Sequence, residues 1–300
     1  MEAWITLAIA AAAFQTVRFM LQKTLSMGPL SAGGATLARF FYAVPFVLPL
    51  SAGLVLWSGN GLPTHGVLFW PYAIIGGISQ ILATWCVVAL FAARNFAVGI
   101  TFKKTEVLQT ALVGLIVLGD RISVAGTFAI ALGFVGVLLL VRTPGKVAQF
   151  WRELGGRASL LGIASGAFFA ISAVGYRGAT LEITSDDPLL RAVIVLAVVT
   201  VLQTLVLSGW LAWRESGEVG RVIAARRSAV WMGITGMVGS LFWFTAFTLQ
   251  NAALVFAVGQ VEVVFSLLAS VLFFKERVTT REGIGIALVT ISILIVVLVR

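Results

Sequence analysis

The stretch Asn95–Arg121, NFAVGITFKKTEVLQTALVGLIVLGDR, is apolar enough to lie in a bilayer, yet its first half carries Lys103, Lys104 and Glu106. A charge at mid-membrane costs about 3 kcal/mol on insertion scales, so such residues face a cavity or a partner. The pattern returns without a gap, 156 residues later, as Asn251–Arg277, NAALVFAVGQVEVVFSLLASVLFFKER. Asn95 aligns with Asn251, Glu106 with Glu262, Asp120 with Glu276 and Arg121 with Arg277. Asn95 is well placed as the N-cap of its run.

The remaining chain can be organised around these two segments. Of 300 residues, 60% are hydrophobic and 11% charged, far outside the soluble range. A spanning helix needs about 20 mostly apolar residues. Ten such runs fit: 3–25, 31–57, 67–91, 96–118, 123–141, 159–180, 188–213, 228–249, 253–274 and 280–299. They leave no room for a soluble catalytic domain. The first run is not expected to be a cleavable signal, because Glu2 replaces a basic start and polar residues interrupt it. The fold class expected is an all-α integral membrane protein.

Residues 143–158 form a basic cytoplasmic linker that divides the chain into units 1–142 and 159–300. Run six matches run one and run seven matches run two, with Arg191 near the place of Arg39. Five helices per unit is odd, so a direct repeat enters the membrane from opposite sides. The expectation is two inverted five-helix repeats, a plan of secondary transporters with the substrate near the midplane. Lys and Arg concentrate in the loops after runs one, three, five, seven and nine, while Glu182, Asp186 and Asp187 lie opposite. The positive-inside rule then puts both termini on the extracytoplasmic side of a cell inner (plasma) membrane.

Several functions are disfavoured by what the chain lacks. One cysteine, Cys86, permits no internal disulfide and no cysteine metal cluster. One histidine, His65, lies in the polar turn GNGLPTHG, so the paired sets of intramembrane enzymes are missing. No P-loop is present. The net charge of +9 is spread over short loops, which fits membrane orientation rather than nucleic acid. No cofactor and no metal are expected.

The blocks VVFSLLASVLFFKERVTTREGIGIALVTISILIVVL and LGDRISVAGTFAIALGFVGVLLLV resemble the drug/metabolite transporter superfamily in its ten-helix EamA-like form. An acidic-Arg pair between the fourth and fifth helices, then a Gly-rich fifth helix, carries the resemblance. It implies alternating-access transport of a small metabolite. It also implies a cavity lined by helices one, three and four and by six, eight and nine. The chain departs from many members in having no proline in either fourth run.

Within that frame Glu106 and Glu262 lie near mid-bilayer and would approach a common axis. Two carboxylates in a low-dielectric site repel, which can couple proton binding to transport. The competing reading makes each a fixed salt-bridge partner. Lys103 is one turn from Glu106 and can pair with it. Gln15, Arg18 and Gln22 share one face of run one. With Lys103 and Lys104 they leave excess positive charge, which suits an anionic or zwitterionic substrate. Tyr176, Trp243 and Gln260 would add hydrogen bonds and an aromatic wall from the second half. Arg39 and Arg191 read as structural cations, and Asp120/Arg121 and Glu276/Arg277 as helix-end ion pairs. The expected partners are a small-molecule substrate, protons and membrane lipids, in a monomer or homodimer. The alternative function is a translocase or scramblase of an anionic lipid headgroup.

Overall fold

The computed structural model describes residues 2–26, 28, 30–59, 61–91, 103–140, 156–265 and 279–298. Its helices are α1 (Ala3–Ser26), α2 (Ala32–Phe41), α3 (Val44–Ser58), α4 (Phe69–Phe91), α5 (Glu106–Leu118) and α6 (Val124–Leu140). Then come α7 (Arg157–Leu181), α8 (Pro188–Arg214), α9 (Glu218–Ala224), α10 (Arg226–Leu249), α11 (Ala252–Gly259) and α12 (Thr280–Leu298). No strand occurs among the described residues. An isolated antiparallel bridge joins His65 to Ile183.

Six stretches are long and apolar enough to cross a membrane: Ala3–Ser26, Ala32–Ser58, Phe69–Leu90, Arg157–Leu181, Pro188–Arg214 and Arg226–Leu249. Four shorter apolar helices, Glu106–Leu118, Val124–Leu139, Ala252–Phe265 and Gly283–Leu298, fall in the other expected runs. Large apolar side chains such as Ile116, Phe128, Leu205 and Leu298 are exposed. Outer faces of that composition suit lipid. The second run is broken: α2 ends at Phe41 with Tyr42 as its C-cap, and α3 begins with Pro45 in its first turn, where a missing N–H costs no helix bond. Asn251 caps α11 by accepting from the Ala253 amide at 3.0 Å. Its counterpart Asn95 lies outside the described residues, as do Glu276 and Arg277.

Helix α4 lies along α7, α1 along α10 and α6 along α12. Small residues permit these approaches, as expected for helices packed in lipid. A Cβ on Gly175 would stand 2.9 Å from the Tyr72 carbonyl oxygen and 3.0 Å from the Gly76 Cα. One on Gly136 would stand 2.9 Å from the Gly285 carbonyl oxygen. The Ser292 hydroxyl donates to the Ala129 carbonyl at 2.7 Å, tying α12 to α6.

Two layers of polar contacts mark opposite ends of α8. At its start, the Thr184 amide donates to the Thr64 carbonyl and the Gly66 amide to the Glu182 carbonyl, both at 2.9 Å. Beyond its other end, Glu218 accepts from the Ser31 amide at 2.7 Å. The short α9 is thereby pinned to the start of α2. Tyr42 adds a bond from its hydroxyl to the Val222 carbonyl at 3.0 Å.

Candidate functional site

The charged centre is built where α1, α5, α7 and the 252–265 segment meet. Gln15, Arg18 and Gln22 do share one face of α1. The Gln15 amide donates to the Glu262 carboxylate at 2.6 Å. Arg18 donates to the Gln22 side-chain oxygen at 2.8 Å, and Gln22 donates in turn to the Ala35 carbonyl at 3.3 Å. Gln22 therefore bridges α1 to α2.

Lys103 pairs with Glu106 at 2.8 Å, as their spacing foretold. Lys104 pairs with Glu262, which joins the fourth segment of one half to that of the other. Each carboxylate thus has a lysine of its own, and Glu262 also takes Gln15. Lys103 lies 5.0 Å from the centre of the Phe169 ring. All four charged residues are buried or nearly so. A dry ion pair of this kind is a weak source of net stability, but losing one partner strands the other.

Both fourth segments lose regular helix just before their glutamate. The turn falls at Lys104–Thr105 in one and at Gln260 in the other. Gly259 precedes the second turn, and a Cβ there would run into the Trp243 ring. Trp243 stacks on Phe247 with centroids 5.7 Å apart and meets Phe256 edge-on at 5.3 Å. The indole N–H of Trp243 and the side-chain oxygen of Gln260 are buried and have no hydrogen-bond partner.

Beside this centre lies a cavity lined by Gln15, Arg39, Gln80, Tyr176, Ser240 and Trp243, with Phe169, Phe244 and Phe256 among its apolar walls. It is narrow, with about 30 Å³ open to water centres. That is room for about two waters, since about 10–15 Å³ holds one. Tyr176 donates to the Gln80 side-chain oxygen at 3.0 Å, and Gln203 donates to the same oxygen at 2.9 Å. Tyr176 also stacks on Phe244 with centroids 4.1 Å apart.

Of the ten residues singled out from the sequence, Gln15, Tyr176 and Trp243 line the cavity. Arg18, Lys103, Lys104, Glu106 and Glu262 form the charged centre beside it. Gln22 and Gln260 flank that centre. Sequence reasoning passed over Gln80, Thr84 and Gln203; it read Arg39 as a structural cation, and Arg39 both bonds across helices and lines the cavity. Arg39 reaches Thr84 at 3.1 Å and Ser240 at 3.2 Å inside the bundle. Arg191, its counterpart by sequence, instead donates to the Thr180 carbonyl at 2.6 Å near a helix end. The signal that identifies the missed residues is polarity within an apolar run. Gln80 and Gln203 each stand in a stretch with few other hydrogen-bonding side chains.

Asp120 takes Arg177 at 2.9 Å rather than Arg121. Arg177 also donates to the Phe247 and Gln250 carbonyls at 2.7 and 2.9 Å. This closes the ends of α5, α7 and α10 on the side where α8 starts.

Residues 156–298 match the sequence model of the EamA-like transporter family. The second half of this chain is thus similar to EamA-like transporters. That family belongs to the drug/metabolite transporter superfamily, whose members are membrane transporters. No curated protein matches the sequence. A solved structure titled only "Crystal structure of protein" shares the fold, with a TM-score of 0.70 and 15% identity. The match covers 98% of this chain and 95% of that one, so the fold likeness reaches beyond the EamA-like half.

Proposed function

We propose that this chain is a secondary transporter that moves a small polar metabolite, anionic or zwitterionic, by alternating access between two inverted five-helix repeats. The observation that carries the reading is the junction of Gln15, Lys104 and Glu262 beside a polar cavity. It ties two halves through charges that a packing interface would not need. The packing supports the duplication. Exchanging the halves maps the α4–α7 contact onto α10–α1 and the α5–α7 contact onto α11–α1, while α6–α12 and α5–α11 map onto themselves.

Glu106 and Glu262 are the candidates for coupling transport to protons, and Lys103 and Lys104 are their built-in counter-charges. A proton arriving on Glu262 frees Lys104, which loosens the contact between the two fourth segments. The cavity takes only a few waters as it stands. Admitting a metabolite therefore requires the wall of Trp243, Phe256 and Phe244 to shift. The closed layer at Asp120, Arg177 and Gln250 and the clasp of Glu218 on Ser31 lie at the two ends and are the contacts to be opened in turn. Both termini are assigned to the extracytoplasmic face by the basic loops opposite them.

The test is uptake of labelled carboxylates, amino acids and phosphate esters into proteoliposomes, with and without an imposed pH gradient. Saturable uptake that a pH gradient accelerates agrees with the reading. Movement of labelled anionic lipid between leaflets, with no uptake of water-soluble anions, replaces it with a lipid translocase.

A further inference from the structure

The transporter reading leaves open which group receives the substrate. Lys103 and Lys104 each have a carboxylate partner. Arg18 and Arg39 have none: among the described residues neither forms a salt bridge. Arg18 is 2% exposed and Arg39 6% exposed. The two sit side by side against Gly236, where a Cβ would be 3.2 Å from the Arg18 Cδ and 3.3 Å from the Arg39 Cγ. Packed against one glycine, the two cations repel. The Arg18 Nη2 is buried with no acceptor. Arg39 spends its two terminal nitrogens on the hydroxyls of Thr84 and Ser240, which are weak neutral partners for a buried cation.

Two adjacent buried guanidiniums without a carboxylate carry an uncompensated charge. Planar forks of this kind match the paired oxygens of a carboxylate or phosphate. The Arg39 side of the pair opens on the cavity, whose other wall is Tyr176, Phe244, Phe169 and Trp243. We propose that Arg18 and Arg39 clamp the oxyanion of the transported molecule, a carboxylate or phosphate attached to an apolar, ring-sized body that packs on the aromatic wall. The proposal rests on the transporter reading and names its substrate class. Arg39 becomes a specificity-determining residue, and Gly236 is the spacer that lets the two arginines lie together.

Full-length protein in detergent, titrated with benzoate, phenyl phosphate, benzamide and inorganic phosphate, tests this by thermal shift. Benzoate or phenyl phosphate should raise the melting temperature saturably in the parent. Which of the two does so separates carboxylate from phosphate. Neutral benzamide should not, and inorganic phosphate should bind at least tenfold more weakly than phenyl phosphate. Arg39→Met and Arg18→Met should each weaken the anion shift tenfold or more without lowering the ligand-free melting temperature. The double variant should be little worse than either single one. Gly236→Ala keeps both charges but spreads them, and should also weaken binding; it serves if the methionine variants do not fold. Equal shifts by benzamide and benzoate overturn the clamp, and so do unchanged anion shifts in Arg39→Met and Gly236→Ala. Proteoliposome uptake separates the two ideas. A parent that transports either anion with unaltered Arg39→Met kinetics loses the clamp and keeps the transporter. A parent that binds them and transports nothing loses the transporter.

Discussion

Glu262 shows how one residue can be legible as important and opaque in detail. Its place in an apolar run, and its echo of Glu106, marked it. Its sequence left two readings open, a carboxylate repelled by Glu106 or a fixed salt-bridge partner. The structure gives Glu262 the lysine of the other half, and Gln15 on its second oxygen. Residue spacing predicts partners one turn apart, so the Lys103–Glu106 pair was readable. A pair joining positions 104 and 262 depends on how helices cross, which spacing does not encode. The same holds for Arg39, whose run looked like any second helix until α10 and α4 brought Ser240 and Thr84 against it. A direct consequence concerns stability. Glu262→Gln leaves Lys104 buried without a counter-charge, and should lower stability by about 3 kcal/mol. Lys104→Met on that background should recover most of the loss, a coupling that a thermal double-mutant cycle measures. Additive losses would show that the two side chains do not act as a pair.

At the scale of elements, helix positions followed from composition because a bilayer demands about 20 apolar residues per crossing. Breaks were less visible. Pro45 announced the end of α2, but nothing local announced the turns at Lys104–Thr105 and Gln260. The second turn follows Gly259, which must make room for the Trp243 ring, and the first lies against Gly166, where a Cβ would stand 3.1 Å from the Lys103 carbonyl oxygen; both are tertiary demands. Helix pairing is carried by glycine. Gly175→Ala would press a methyl onto the backbone of α4 and should cost about 1–3 kcal/mol, as overpacking does. Gly209→Ala, on α8, meets open space and should leave the melting temperature unchanged or higher. Equal effects of the two substitutions would refute the close α4–α7 contact.

For the whole molecule, membrane class was readable from composition, and the EamA-like likeness from the residues of the second half that the family model matches. The cavity was not, because its lining comes from six helices far apart in sequence. Orientation rests on charge counting and on the two polar layers at the ends of α8. Cysteines placed at Leu62 and Ser185 in a Cys86→Ser background should react with an impermeant thiol reagent added outside intact cells. A cysteine at Gly217 should react only after the cells are opened. The reverse pattern would place the termini in the cytoplasm and invert the assignment.

The central claim is that the buried charges joining the two halves move a substrate rather than merely hold helices together. Uptake of a labelled organic anion into proteoliposomes, compared between the parent, Glu262→Gln and the stability-restored Lys104→Met/Glu262→Gln pair, tests it most directly. Loss of uptake by tenfold or more in both variants, with the double variant folded as well as the parent, is the predicted result. Parental uptake by the double variant would contradict it.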